Sequence, residues 1–173
     1  TNTGRAITII TQDTERTFAT HLGSAIEMTA KDLPKEVFEQ YDIVHLEGYL
    51  VQNRELMEKI AELAKAAKAE ISIDLASFNI VEDNLDFLEE YIGNNVDIVF
   101  ANEEEAKAYG KGNSEDGFYK LGKQTKIAII KTGKNGSVIH SDGELYEVSS
   151  IPSEVIDTTG AGDLYASGFL YGY

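Results

Sequence analysis

From residue 42 onward the chain alternates short apolar runs with longer stretches of helical period. Residues 42–46 (DIVHL), 70–75 (EISIDL), 96–101 (VDIVFA) and 126–131 (KIAIIK) are short and rich in β-branched side chains, as strands are. Between the first two, residues 53–69 place Leu56, Ile60, Leu63 and Ala67 at i, i+4, i+7 and i+11, on one face of a helix. A second amphipathic helix is expected near 81–92, shorter helical stretches at 103–109 and 116–121, and a last helix from about Gly162. Residues 137–140 and 144–148 read as a hairpin across Asp142-Gly143. Upstream, 5–11 (RAITIIT) and 16–20 read as two strands joined by a turn at Gln12-Asp13-Thr14-Glu15. Two weaker segments follow, then a short helix over 34–40 with Pro34 in its first turn.

Strands alternating with helices require right-handed crossovers, and hence an α/β fold with a mainly parallel sheet covered on both faces. The unbroken apolar runs at 42–46 and 96–101 agree with strands buried on both sides. In such sheets ligands bind at the carboxyl ends of the strands. That directs attention to Glu47-Gly48, 74–79, 102–105, 132–136 and 157–163.

Composition narrows the classes. With 173 residues and 42% hydrophobic side chains, one domain with a real core is expected over 1–173, residues 3–20 forming a strand pair outside the α/β core at 42–173. The absence of cysteine excludes a disulfide framework, a Cys-ligated zinc and a thiol nucleophile. Fifteen Lys and Arg against thirty Asp and Glu leave a net charge of −15, which disfavours nucleic acid and anionic membrane surfaces as partners. No apolar run reaches the roughly 20 residues of a membrane span, so a cytoplasmic protein is expected. His21, His45 and His140 lack any paired-ligand spacing. Both ends look cut, since the chain starts without Met and stops at Tyr173 inside an apolar helical segment; Tyr165, Phe169 and Tyr173 should form the buried stripe of that last helix.

The most specific stretch is Asp157-Thr158-Thr159-Gly160-Ala161-Gly162-Asp163, followed by Leu164-Tyr165-Ala166-Ser167-Gly168. Small residues at 160–162 allow a tight turn with open amides, and a helix starting there offers its free N–H groups and positive dipole end to an anion. A carboxylate beside a bound phosphate is electrostatically poor unless it has a proton to accept, which suits a general base activating a hydroxyl for phosphoryl transfer. The plainer reading is a loop-to-helix junction capped by Thr159 or Asp163. The whole run, however, resembles the carboxy-terminal signature of the PfkB family, the ribokinase-like sugar and nucleoside kinases.

That resemblance implies a ribokinase-like doubly wound αβα sandwich with a remnant of a small β lid near the N-terminus. It implies ATP and Mg2+ as cofactors and a small-molecule sugar or nucleoside as acceptor. Asp163 would be the base, and the Gly160, Ala161 and Gly162 amides would stabilise the transferring phosphoryl group. Asn102 and Glu105, in Asn102-Glu103-Glu104-Glu105, resemble the family's N-x-x-E motif that organises magnesium, water and triphosphate; the same spacing is also a capping box. Lys131, Thr132, Gly133 and Gly136 resemble its G-x-x-G turn at the nucleotide, whereas no Walker A loop occurs. A monovalent cation such as K+ would sit beside Asp157 and Thr159, with Glu105 on the Mg2+ side. Glu15-Arg16-Thr17 and Leu22-Gly23-Ser24-Ala25 are similar to the stretch leaving the family's lid strands, which pair between subunits in some members and so imply a homodimer.

Asp74-Leu75-Ala76-Ser77-Phe78-Asn79 stands where many sugar kinases carry D-x-N-x-R, but lacks that Asn and Arg. The family's amino-terminal region with its di-glycine motif has no counterpart in these residues. Two alternatives stay open. One is a nucleotide-binding regulatory protein without catalysis; the other is a doubly wound dehydrogenase, against which the absence of G-x-G-x-x-G after the first strand argues.

Overall fold

The computed structural model describes residues 2–10, 16–154 and 157–173; the expected turn at 12–15 lies outside them. Strands β1 (Arg5–Ile10) and β2 (Arg16–His21) pair antiparallel as a two-stranded ribbon, Arg5 opposite His21. Short 3₁₀ turns and the four-residue α1 (Lys35–Phe38) lead to β3 (Ile43–Glu47). Pro34 precedes α1 as its N-cap in an extended conformation, not in its first turn as expected, because its ring fixes φ but ψ is 123°. Then come α2 (Arg54–Ala67), β4 (Glu70–Asp74), α3 (Phe78–Asp83), α4 (Leu85–Asn95), β5 (Ile98–Asn102), α5 (Glu103–Tyr109) and α6 (Ser114–Gln124). The chain closes with β6 (Ile127–Lys131), the hairpin β7 (Ser137–Ser141) and β8 (Glu144–Val148), and α7 (Ala161–Gly172).

Six strands form one sheet in the order β3-β4-β5-β6-β7-β8. The first four are parallel, and β7 and β8 add antiparallel across Asp142 and Gly143, both at positive φ as the tight turn requires. Residue alternation assigns the two faces. Ile71, Ile73, Val99, Ala101, Ala128 and Ile130 point into the main core under the helices that precede α7. Ile98, Phe100, Ile127 and Ile129 point the other way and are met by Ala166, Tyr165 and Phe169 of α7.

Three further expectations are corrected. The single helix near 81–92 is two, broken at Asn84, whose side-chain amide donates to the Ile80 carbonyl and so ends α3 in place of the next helical bond. The apolar run at 42–46 does not make a strand buried on both faces: β3 is an outer strand of the sheet, and its His45 and Glu47 are exposed. In α7, Tyr165 and Phe169 are half-buried, but Tyr173 remains 56% exposed, because it lies beyond the sheet residues that cover the stripe.

Helices α5 and α6 approach closely through Gly117, where an added Cβ would lie 1.8 Å from the Ala106 carbonyl oxygen. Gly117→Ala is therefore expected to push the helices apart and cost on the order of 2 kcal/mol. Denaturant unfolding reads this directly, and wild-type stability in the variant would mean that α6 can slide without loss.

Candidate functional site

The last residues of the four parallel strands, Glu47, Asp74, Asn102 and Lys131, all line one cleft of about 490 Å3. Phe18 of β2, Tyr49, Ala76, Glu105, Thr158, Gly160, Ala161, Gly162 and Asp163 complete its walls. The cleft thus lies at the carboxyl edge of the sheet, where crossover connections leave the strand ends open.

Asn102 and Glu105 lock each other at the start of α5. The Asn102 backbone N–H and side-chain amide each donate to one Glu105 carboxylate oxygen at 2.7 Å, and Glu105 N–H donates back to Asn102 Oδ1 at 2.8 Å. Glu105 is only 2% exposed, and burial pushes its carboxyl up to about 7, with the Asp74 charge adding to the rise and the Asn102 hydrogen bond and Lys131 opposing it. Nearby, Lys131 Nζ forms an ion pair with Asp74 Oδ2. Glu47 is held below the ordinary carboxylate range by His45, 3.6 Å away, while His45 Nδ1 meets the buried Ser72 hydroxyl at 2.8 Å. The Tyr49 hydroxyl is pushed up by partial burial and then by Glu105, Glu47 and Asp74.

The opposite wall is the start of α7. Phe100 fixes this helix through edge-to-face contacts with Tyr165 and Phe169, at 6.4 and 5.5 Å, and Tyr165 donates to Ser137 Oγ at 2.7 Å. Gly160 precedes the helix at φ 72°, and no side chain caps it. The first intrahelical bond runs from Leu164 N–H to the Gly160 carbonyl, so the N–H groups of Gly162 and Asp163 have no intrahelical acceptor. The Ala161 N–H, expected to face an anion, donates instead to the Thr158 carbonyl at 3.1 Å, since the turn before the helix closes on itself.

Other expected residues lie elsewhere. Thr132, Gly133 and Gly136 do not line the cleft. Thr132 N–H donates to the Gly136 carbonyl, and a Cβ on Gly136 would sit 1.9 Å from the Val148 carbonyl oxygen, so that glycine serves the chain's own packing on β8. Gly133 faces open space. Asp157 and Thr159 also stand outside the lining; Asp157 Oδ1 accepts from the Thr159 N–H at 2.8 Å in the turn before α7. Among the described residues no group of three or more His, Asp and Glu side chains is placed to cage a metal ion.

The donor set nevertheless fits a magnesium–polyphosphate. Four lining carboxylates, Glu47, Asp74, Glu105 and Asp163, face one lysine and an uncapped helix start. Mg2+ keeps most of its waters and takes one or two carboxylates plus phosphate oxygens, so no protein cage is needed. Phe18 and Tyr49 join the cleft without having been expected there, whereas Glu47 lies at a strand end to which the sequence pointed. Phe18 is brought in by the ribbon alone and carries no sequence signal.

The pfkB family carbohydrate kinase model matches residues 1–173. The structure of the adenosine kinase from Sinorhizobium meliloti superposes with a TM-score of 0.90 at 33% identity, over 98% of this chain and 54% of that one. The 5-dehydro-2-deoxygluconokinase of Clostridium beijerinckii is 29% identical over 161 residues, 85% of this chain and 48% of that protein. The adenosine kinase of Schizosaccharomyces pombe is 25% identical over 189 residues, 95% of this chain and 54% of that protein. The fold is ribokinase-like, and the chain spans about half the length of these relatives.

Proposed function

The chain belongs to the pfkB family of carbohydrate kinases, and we propose that it carries the nucleotide side of an ATP-dependent phosphotransferase acting on a hydroxyl of a sugar or a nucleoside. The observation that carries this reading is the meeting, in one cleft, of the Asp163 carboxylate, the uncapped start of α7 and Lys131. An incoming hydroxyl would give its proton to Asp163 as its oxygen attacks the terminal phosphorus, and the bond from that phosphorus to the bridging oxygen would break with ADP as the leaving group. The N–H groups of Gly162 and Asp163, with the Gly160 turn beside them, face the charge that gathers on the phosphoryl oxygens. Lys131 adds a point charge to the same oxygens.

Asn102 and Glu105 would hold the water shell of Mg2+, which when bound with ATP neutralises charge between the phosphates. The mutual hydrogen bonds of these two residues orient the carboxylate before any ligand arrives. The β1–β2 ribbon acts as a lid in this reading: its Phe18 reaches the cleft and would exclude water from the reacting phosphate. A nucleoside and a neutral sugar are both compatible in class with the cleft, which is lined by aromatic as well as carboxylate groups.

The test is ADP release by the intact gene product with ATP, Mg2+ and a panel of nucleosides and sugars, adenosine, ribose and fructose among them. Turnover with one acceptor is expected. ATP bound tightly without ADP release across the panel favours a nucleotide-binding regulatory protein instead.

A further inference from the structure

Lys131 ends β6 and Asp74 ends β4, with β5 between them, so the pair spans two strand spacings, roughly 9–10 Å. A lysine reaches that far only when its side chain lies down toward the carboxylate, and the two side chains are 16% and 10% exposed. The ammonium then sits under the first turn of α7: a Cβ on Gly162 would be 3.3 Å from Lys131 Nζ. A cation tucked against the positive end of a helix is electrostatically poor by itself, and Asp74 offsets it.

Asp74 is fixed independently. Its Oδ1 accepts the Ala76 N–H at 3.1 Å, and Ala76 holds φ 66°, a left-handed conformation that alanine rarely adopts. The backbone after β4 is bent around this carboxylate, which leaves Oδ2 directed at Lys131.

We propose that Asp74 is a positioning residue that holds the Lys131 ammonium against the start of α7, so that the lysine and the helix N–H groups meet one phosphoryl group together. The inference rests on the phosphotransfer reading of this cleft. A lysine has three donors, so Nζ stays bonded to Asp74 while offering the others to an anion. The arrangement trades affinity for geometry: the Asp74 charge weakens anion binding in the ground state while fixing the cation where the transferring group passes.

The test uses the intact gene product and two readouts, pyrophosphate binding by calorimetry and turnover with ATP and an acceptor. Asp74→Asn is expected to bind pyrophosphate on the order of tenfold more tightly, as the Lys131 ammonium is released from its carboxylate partner and its full charge meets the anion. Its kcat is expected to fall by at least about tenfold, as for a misplaced charge at the reacting centre. In Asp74→Asn/Lys131→Met the gain in affinity should vanish, because the coupling runs through the lysine. Asp74→Glu, which keeps the charge but displaces the ammonium by a methylene, should keep wild-type pyrophosphate affinity and lose kcat; it also serves if the asparagine variant fails to fold.

Pyrophosphate affinity unchanged or weakened in folded Asp74→Asn, or wild-type kcat in both single variants, overturns the inference. The binding arm separates this result from the broader reading. If the wild-type protein transfers no phosphate but Asp74→Asn still tightens pyrophosphate through Lys131, the positioning inference stands and the phosphotransferase assignment falls.

Discussion

Asp163→Asn is expected to lower phosphotransfer by about 10²–10⁴-fold, the range for loss of a positioned general base. Asparagine matches aspartate in size and can still accept a hydrogen bond at the start of α7, but it takes up no proton at neutral pH. Nucleotide affinity should hold or improve, because a negative charge leaves the neighbourhood of the phosphates. The fold should tolerate the change: Asp163 is an exposed first-turn residue, and its favourable interaction with the helix dipole is worth about 0.3–1 kcal/mol. Measuring ADP release beside nucleotide affinity and thermal stability separates these effects. Retained turnover in the folded variant would remove Asp163 as the base.

The second large effect is one of pH. In the protein free of metal and nucleotide, Glu105 is raised from its ordinary 4.5 to about 7, chiefly by burial. Between those values the folded state keeps a proton that the unfolded state has released, so stability falls as pH rises. The contribution is fully present below pH 4.5 and is lost as pH passes through 7. Its size is roughly 3 kcal/mol. Glu105→Gln removes the titration, and the unfolding free energy of the variant should fall less between pH 5 and 8, by roughly that amount. Gln accepts only one of the two Asn102 donors, so the slope and not the absolute stability is the readout. Equal slopes in the two proteins would assign the pH dependence to other groups.

The fold and the cleft were legible to different depths. The α5 boundaries were readable because Asn102 and Glu105 sit at capping-box spacing, a local hydrogen-bond pattern that needs no distant partner. The β7–β8 turn was equally local, since Asp142-Gly143 supplies the positive φ values it needs. The break at Asn84 was hidden, because apolar residues continue at helical spacing on both sides of it, and only the side-chain bond to Ile80 decides where α3 stops. The buried or exposed fate of the 42–46 run was hidden too: strand composition records β propensity, whereas burial depends on whether a neighbour lies on each side.

By itself the sequence determined the alternation of strands and helices, the parallel sheet this enforces, and the small-residue turn before α7 with Asp163 at its end. Each of these follows from local backbone preference or from the need to bury an apolar face. Only the tertiary structure decided that Lys131 pairs with Asp74 fifty-seven residues away, that Gly136 serves packing on β8, and that Phe18 reaches the cleft. Those facts are set by which strands become neighbours and by how far a side chain reaches across them, distances that exist only once the sheet has formed.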